Sequence, residues 1–346
     1  MLTLLACTPT WTEDCRNASG VCATAETALP TETGSPDTWA SFDSAPADWV
    51  ATIEDKALYF DTIQDAIVEA ADGDTIWVAP GRHVENVDFH GKGIRLVSVA
   101  GPLATILDGG GRDSVVQIRA QEPATAVLEG FTLTNGVGTD EHGGGVFVEN
   151  AAPTLRHNIV VGNSANVAGG IYMRHGTAIA HNNLVLENTA NVGGGIVCTN
   201  CQGAVRFNTL WQNTASEGPA GEWYYEPQGD FHGNLVVTPD DAPYAFRYME
   251  PRGYAFEADY NLVHPDVPWA DSDTQDGSIW PVGPNDTTGT PAFVDAEGGD
   301  FRLGSGSDAI DAGPEHEQDA DGSRADIGAF GGPDGGWDPG EGWEPG

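Results

Sequence analysis

Three side chains able to hold an oxyanion or a proton recur at a fixed interval: Arg156, His181 and Arg206 stand 25 residues apart. Glu149, Arg174 and Thr199 share that interval, and His175 falls in step with Asn150 and Asn200. Guanidinium groups grip carboxylates and sulfates through paired hydrogen bonds, and imidazole titrates near neutrality. The set therefore suits oxyanion binding first, with His175, His181 and Arg174 as the candidates for any catalysis. Around them, residues 143–216 carry three arginines against two glutamates, Glu149 and Glu187. That segment is net +1 in a chain of −38, so the remainder carries −39.

What positions these residues is a repeat. Residues 157–171 read HNIVVGNSANVAGGI, residues 182–196 read NNLVLENTANVGGGI, and FNTLWQNTA follows from residue 207. Asn158, Asn183 and Asn208 keep the 25-residue step, as do Asn163, Asn188 and Asn213, and Val146, Ile171 and Ile196. A fixed period of this size marks a solenoid. Apolar residues alternate within each unit, as in GIYMR and AVRF, which is the period of a strand. Asn and Gly between these runs tolerate the left-handed backbone of tight turns. The pattern predicts an all-β fold, a right-handed parallel β-helix with neighbouring coils about 4.8 Å apart. Asparagines in one register then stack and pass hydrogen bonds from coil to coil as an amide ladder. A chain of 346 residues has room for about nine coils plus tails, since such arrays grow one unit at a time.

The flanks differ from the coils. Residues 1–48, rich in Thr, Ala, Pro, Glu and Ser, read as a tether too polar to order itself. Within it Leu4-Leu5-Ala6-Cys7 is similar to the lipobox of bacterial lipoproteins, which implies lipidation of Cys7, although no basic segment or long apolar run precedes it. Residues 49–74 hold a capping helix. Ile63, Ala66, Ile67 and Ala70 follow helical spacing, Thr62 and Asp65 suit a capping box, and Gly73 suits a C-terminal cap. Its expected role is to plug the open end of the core. Residues 75–331 form the β-helix, and residues 332–346, with GWDPG and GWEPG, read as a disordered tail.

GDTIWVAPGRHVEN (73–86), the Asn and GGGI repeats, SDAIDAG (307–313) and DIGAF (326–330) resemble right-handed β-helix proteins of the pectate lyase superfamily. The resemblance spans about residues 57–331 and implies the fold, on which lyases, hydrolases, adhesins and proteins without known chemistry are built. Its calcium-dependent lyases need several carboxylates converging on the ion, its hydrolases a carboxylate pair, and its alginate and chondroitin lyases a lysine and an arginine. Here Glu149 and Glu187 fall on different faces, Glu149 is expected to pair with Arg174, and Lys56 and Lys92 precede the regular coils. No catalytic set carries over. The expectation is a secreted or surface-tethered protein, carbohydrate-binding or structural. The alternative is a polysaccharide lyase or glycoside hydrolase with an atypical site. The ligand would be a polysaccharide or cell-surface glycan running along the axis on Arg156, Arg174, His181 and Arg206. Trp223 and Tyr224, in a loop reading EWYYE, would stack on its rings.

So acidic a chain argues against nucleic acid and anionic membrane as partners. Membrane contact is expected only through a lipid anchor, on a monomeric outer-membrane lipoprotein. No apolar stretch reaches the roughly 20 residues of a spanning helix. Cys15–Cys22 and Cys198–Cys201 are the expected disulfides, although Cys198 also aligns with the inward Val148 and Met173. Asp319, Asp321 and Asp326 alternate around a glycine as at the start of a calcium loop. They point to a structural Ca2+ under the last coil, with Arg324 as the competing source of positive charge.

Overall fold

The computed structural model describes residues 49–54, 56, 58–139, 143–225, 229–249, 256–270, 280–337 and 339. Cys7, Cys15 and Cys22 lie outside them, as do the rest of the expected tether and residues 340–346.

Every coil folds alike because every coil spells the same pattern. One coil runs through the strands Val146–Glu149, Thr154–Arg156, Ile159–Val161 and Ser164–Val167, and the next begins at Ile171–Arg174. These four positions stack into faces one, two and three and a short ribbon. Among the described residues the faces hold seven, ten and nine strands, and the ribbon three. Pairing between coils is parallel and in register: Val146 meets Ile171, Leu155 meets Ala180, and Val160 meets Val185. The chain is an all-β parallel solenoid of about seven turns with one helix. It falls short of nine coils because residues 290–337 leave the stack.

The ladder stands at the corner between faces two and three. Asn158 donates its backbone N–H and its Nδ2–H to Oδ1 of Asn183 (both 3.1 Å), and Asn183 does the same to Asn208. The chain of bonds continues through Asn234 and Asn261 to Asp286. An asparagine both gives and receives, whereas an ionised aspartate only receives, so Asp286 ends the series. Burial raises its pKa. A second ladder, Asn163 to Asn188 to Asn213, lines the corner between face three and the ribbon. All these asparagines are buried.

The N-terminal end is closed as expected, with differences in the caps. Helix α1 spans Ile63–Glu69 and buries Ile63, Ala66 and Ile67 against the core. Thr62 Oγ1 accepts the N–H of Asp65, but the N–H groups of Ile63 and Gln64 go to the Glu85 carboxylate. The C-terminal cap is Ala70, not Gly73. Lys92 Nζ satisfies the carbonyls of Ile67, Val68 and Ala70, where a cation also meets the negative end of the helix dipole. Strands Ala51–Ile53 and Leu58–Phe60 extend face two in antiparallel fashion, which the sequence reading missed. At the other end the core turns aromatic: Trp223, Phe231, Phe246, Phe256 and Trp280 pack edge and face, with Phe246 and Trp280 stacked at 4.4 Å.

Residues 290–337 fold back over the outside of face three as a strap. Phe301 and Ala329 cluster with Ile159, Val161, Leu184 and Leu186, and Ala309 and Ile327 with Leu235 and Leu262. Asn182 Nδ2 donates to the carbonyls of Ala329 (3.0 Å) and Gly331 (2.8 Å), and the Ala329 N–H donates to Thr209 Oγ1. The described part of the expected disordered tail is packed as well. Trp337 stacks between His157 (5.3 Å) and Phe330 (5.0 Å), and its Nε1 donates to the Ala329 carbonyl. A ring that buries two faces offsets the flexibility of the glycines around it.

Candidate functional site

Of the three faces, the second is the one that the described chain covers only along one edge, where Asp334 and Glu317 of the strap approach His181 and His232. Face three lies beneath the strap. On the outside of face one, Phe147, Tyr172 and Val197 are buried in a cluster with Val167, at the end of the ribbon, and Ala168 after it. Face two instead alternates, with Leu155, Ala180 and Val205 inward and a mostly polar outward side, because its triplets read TLR, IAH and AVR.

Arg156, His181 and Arg206 do form one outward column on this face, and it continues past them. In register it runs Glu129, Arg156, His181, Arg206, His232, Asp259. It is not the free cationic stripe that the sequence suggested. Arg156 Nη2 bonds Glu129 Oε2 at 2.9 Å, and Arg206 Nε bonds Asp230 Oδ1 at 2.9 Å. The neutralising acids escaped a search confined to residues 143–216, since the step lengthens to 27 residues before Arg156 and to 26 after Arg206.

Electrostatics on the column follow from burial and these partners. Burial pushes the Glu129 carboxyl up, but the His157 hydrogen bond and the Arg156 charge outweigh it and leave the pKa at about 2. Burial pulls His181 down, against the opposing bond to Asn182 Oδ1 (2.9 Å). It also pulls His232 down, the Asp230 charge acting the other way. Both imidazoles are therefore neutral at neutral pH. Arg156 Nε and His232 Nε2 are buried without a hydrogen-bond partner among the described residues.

The remaining predicted residues scatter. Arg174 lies on face one, where its Nε bonds Glu149 Oε1 (2.8 Å) as expected and its guanidinium covers the Phe147 ring. His175 stands exposed at the corner between faces one and two, in left-handed backbone like its stack neighbours Asn150 and Asn200. Its Nδ1 contacts Asn200 Nδ2 at 3.0 Å, and it lines an open hollow of about 550 Å³ with Arg119, Gln121, Asn150 and Thr177. Trp223 is not on an overhanging loop. It is 2% exposed, inside the aromatic core, in register with Cys198, which is the signal that places it inward. Tyr224 points outward against Tyr225. Cys198 and Cys201 are joined by a disulfide and buried.

The three aspartates of the expected calcium loop do not share a cage. Asp319 accepts the N–H groups of Asp326 and Gly332, Asp321 caps Ser323, and Asp326 accepts the N–H of Asp311. Among the described residues no three His, Cys, Asp or Glu side chains converge as metal ligands. Arg324 does not neutralise them either: it donates to the Gly313 carbonyl and lies over the Tyr260 ring. Burial, with Asp326 and Asp321 nearby, instead raises the Asp319 pKa to about 6.

No family model matches the sequence, and no curated protein matches it. Among solved structures, a pectin methylesterase from carrot aligns at 12% identity over 66% of this chain and 86% of its own, with a TM-score of 0.35. A mutant pectin methylesterase in complex with a hexasaccharide aligns at 12% identity over 60% and 67%, with a TM-score of 0.34. A likeness this distant carries no argument about activity.

Proposed function

We propose that this chain is a secreted or surface-tethered carbohydrate-binding β-helix protein that lays an extended glycan along face two without cleaving it. One observation carries the reading: two buried polar atoms on the same outward column, Arg156 Nε and His232 Nε2, have no hydrogen-bond partner among the described residues. Buried polar groups are seldom left unpaired, and a glycan presents a row of acceptor oxygens. The two atoms stand three coils apart, roughly 14 Å at the usual strand spacing. Exposed Gln121, Asn150, His175 and Tyr225 along the neighbouring corner add polar groups that suit hydroxyls.

Binding is favoured over cleavage by the state of the acids. A glycosidase keeps one carboxyl protonated to donate to the leaving oxygen. On this face Glu129 is ionised far below neutrality and Asp230 is engaged by Arg206. The arginines are too basic to abstract a proton, and neutral His181 and His232 would be bases without an acid opposite. The test is a panel of neutral glucans and polyuronates, scored for retention and for ultraviolet-absorbing unsaturated ends. Retention without new chain ends, lost in Arg156→Ala/Arg206→Ala, is the expected result. Depolymerisation abolished by His175→Ala or His181→Ala would make the chain a lyase instead. The anchor on Cys7 is tested separately, by release of Cys7→Ser from the membrane fraction.

A further inference from the structure

The charges around the outward column leave no place for an anion. Arg95 and Arg156 both reach the Glu129 carboxylate, Arg206 is held by Asp230, and the column closes on Asp259. The strap adds two acids along the edge, Asp334 Oδ2 at 3.8 Å from His181 Nδ1 and Glu317 Oε1 at 3.8 Å from His232 Nε2. Three arginines therefore stand against five carboxylates, beside two imidazoles that burial keeps neutral. The neighbouring column on the same outward side is uncharged over four coils. It runs Val127, Thr154, Ile179 and Ala204 in register, with Ile179 39% exposed.

We infer that the ligand of face two is an uncharged glycan, and that Asp334 and Glu317 turn acidic chains away. The inference rests on the glycan-binding reading above and names its ligand class. A pyranose has an apolar face of C–H groups and a rim of hydroxyls, which matches an aliphatic strip beside a few fixed polar groups. Coils repeat at about 4.8 Å, close to the length of one sugar in an extended 1,4-linked chain. A hydroxyl both donates and accepts, so it can serve Arg156 Nε and, in either tautomer, His232 Nε2. A carboxylate on the same path would meet Asp334, Asp230 and Glu317 between the His181 and His232 coils, with both arginines of the column already neutralised. Rejecting a wrong ligand by like charge is one route to specificity.

The experiment uses the full chain and a matched pair of probes: a soluble β-1,4-glucan oligosaccharide, and the same chain oxidised to a uronate at C6 of every sugar. Calorimetry at low and at high salt gives both affinities. At low salt the glucan should bind about tenfold tighter or more, and added salt should strengthen uronate binding, because screening weakens repulsion. Asp334→Asn/Glu317→Gln should raise uronate affinity about tenfold and narrow the ratio of the two affinities accordingly. Melting curves establish that the double variant is folded, and the single variant Asp334→Asn, at a half-exposed side chain, serves if it is not. A uronate that binds as tightly as the glucan, or whose binding weakens with salt, overturns the inference and leaves the glycan reading standing. So does a ratio that the folded variant leaves unchanged. If neither probe binds, both readings fall.

Discussion

Faces two and three are built from the same coils, their strands starting five residues apart, and meet opposite fates. On one coil, Ile179 of face two is 39% exposed while Leu184 of face three is fully buried, though both point away from the core. The difference lies in the triplets. Face three reads IVV, LVL, TLW and LVV, apolar at every position but Thr209, whereas face two reads TLR, IAH and AVR. A strand apolar on both sides needs a layer on both sides. The strap is that second layer, and by covering face three it leaves face two as the surface able to meet a ligand.

The comparison breaks first at Leu184. Leu184→Ala removes buried methyl groups beneath the strap and should cost about 2–5 kcal/mol in denaturant unfolding. A cost under about 1 kcal/mol would mean that the strap does not press on this face. Next comes the corner that joins the two faces. Asn183→Ala strips the acceptor from two donors of Asn158 and one donor from Asn208, in a site without water access. Leaving buried groups unpaired costs about 1–3 kcal/mol each, so the melting temperature should fall clearly. An unshifted melting curve would mean that the ladder is not a structural element.

The solenoid was legible because its signal is redundant: two asparagine columns and an apolar column keep one step, and any of them alone fixes the register. The strap was not legible, because its contacts join residues far apart in sequence, such as Asn182 and Gly331, and no period connects them. The triplets of face three did carry the hint. Alternation alone predicts only strands there, although three apolar residues in a row at Leu184–Leu186 already require a cover. For the candidate site, sequence placed Arg156, His181 and Arg206 on one column but missed Glu129 and Asp230. These acids belong to coils whose lengths differ from 25, so equal spacing could not find them. Trp223 was misplaced for a related reason: the run EWYYE looks like a loop once the Gly-rich turn before it changes composition.

Acid sharpens the contrast on the open face. The Glu129 carboxyl titrates at about 2, below its ordinary value of 4.5. A depressed acid stabilises the fold above its unfolded pKa, and that stability is lost as pH falls through the folded pKa. The melting temperature of the wild type should therefore exceed that of Glu129→Gln at pH 7. The gap should close between pH 4.5 and about 2, where both carry a neutral side chain. A gap that stays constant with pH would mean that packing, and not the Arg156 and His157 partnership, holds Glu129.

The smallest effect is expected at Ile179, and it is the most discriminating. In register it lies between Thr154 and Ala204, two residues before His181 on the same outward side. If face two is open, Ile179→Ala removes surface that was largely wet and should change stability by under about 0.5 kcal/mol. Ile179→Lys should be tolerated equally, since a long amphipathic side chain can lie on the sheet with its charge in water. The matching change across the corner, Leu184→Lys, should abolish folding, because it would bury an unpaired charge under the strap. Glycan retention separates the two faces again. A ligand lying on face two covers residue 179, so Ile179→Ala should weaken binding while leaving the melting curve in place. A stability loss above about 1.5 kcal/mol at Ile179 would mean that some part of the chain already covers this face, and the glycan would have to bind elsewhere.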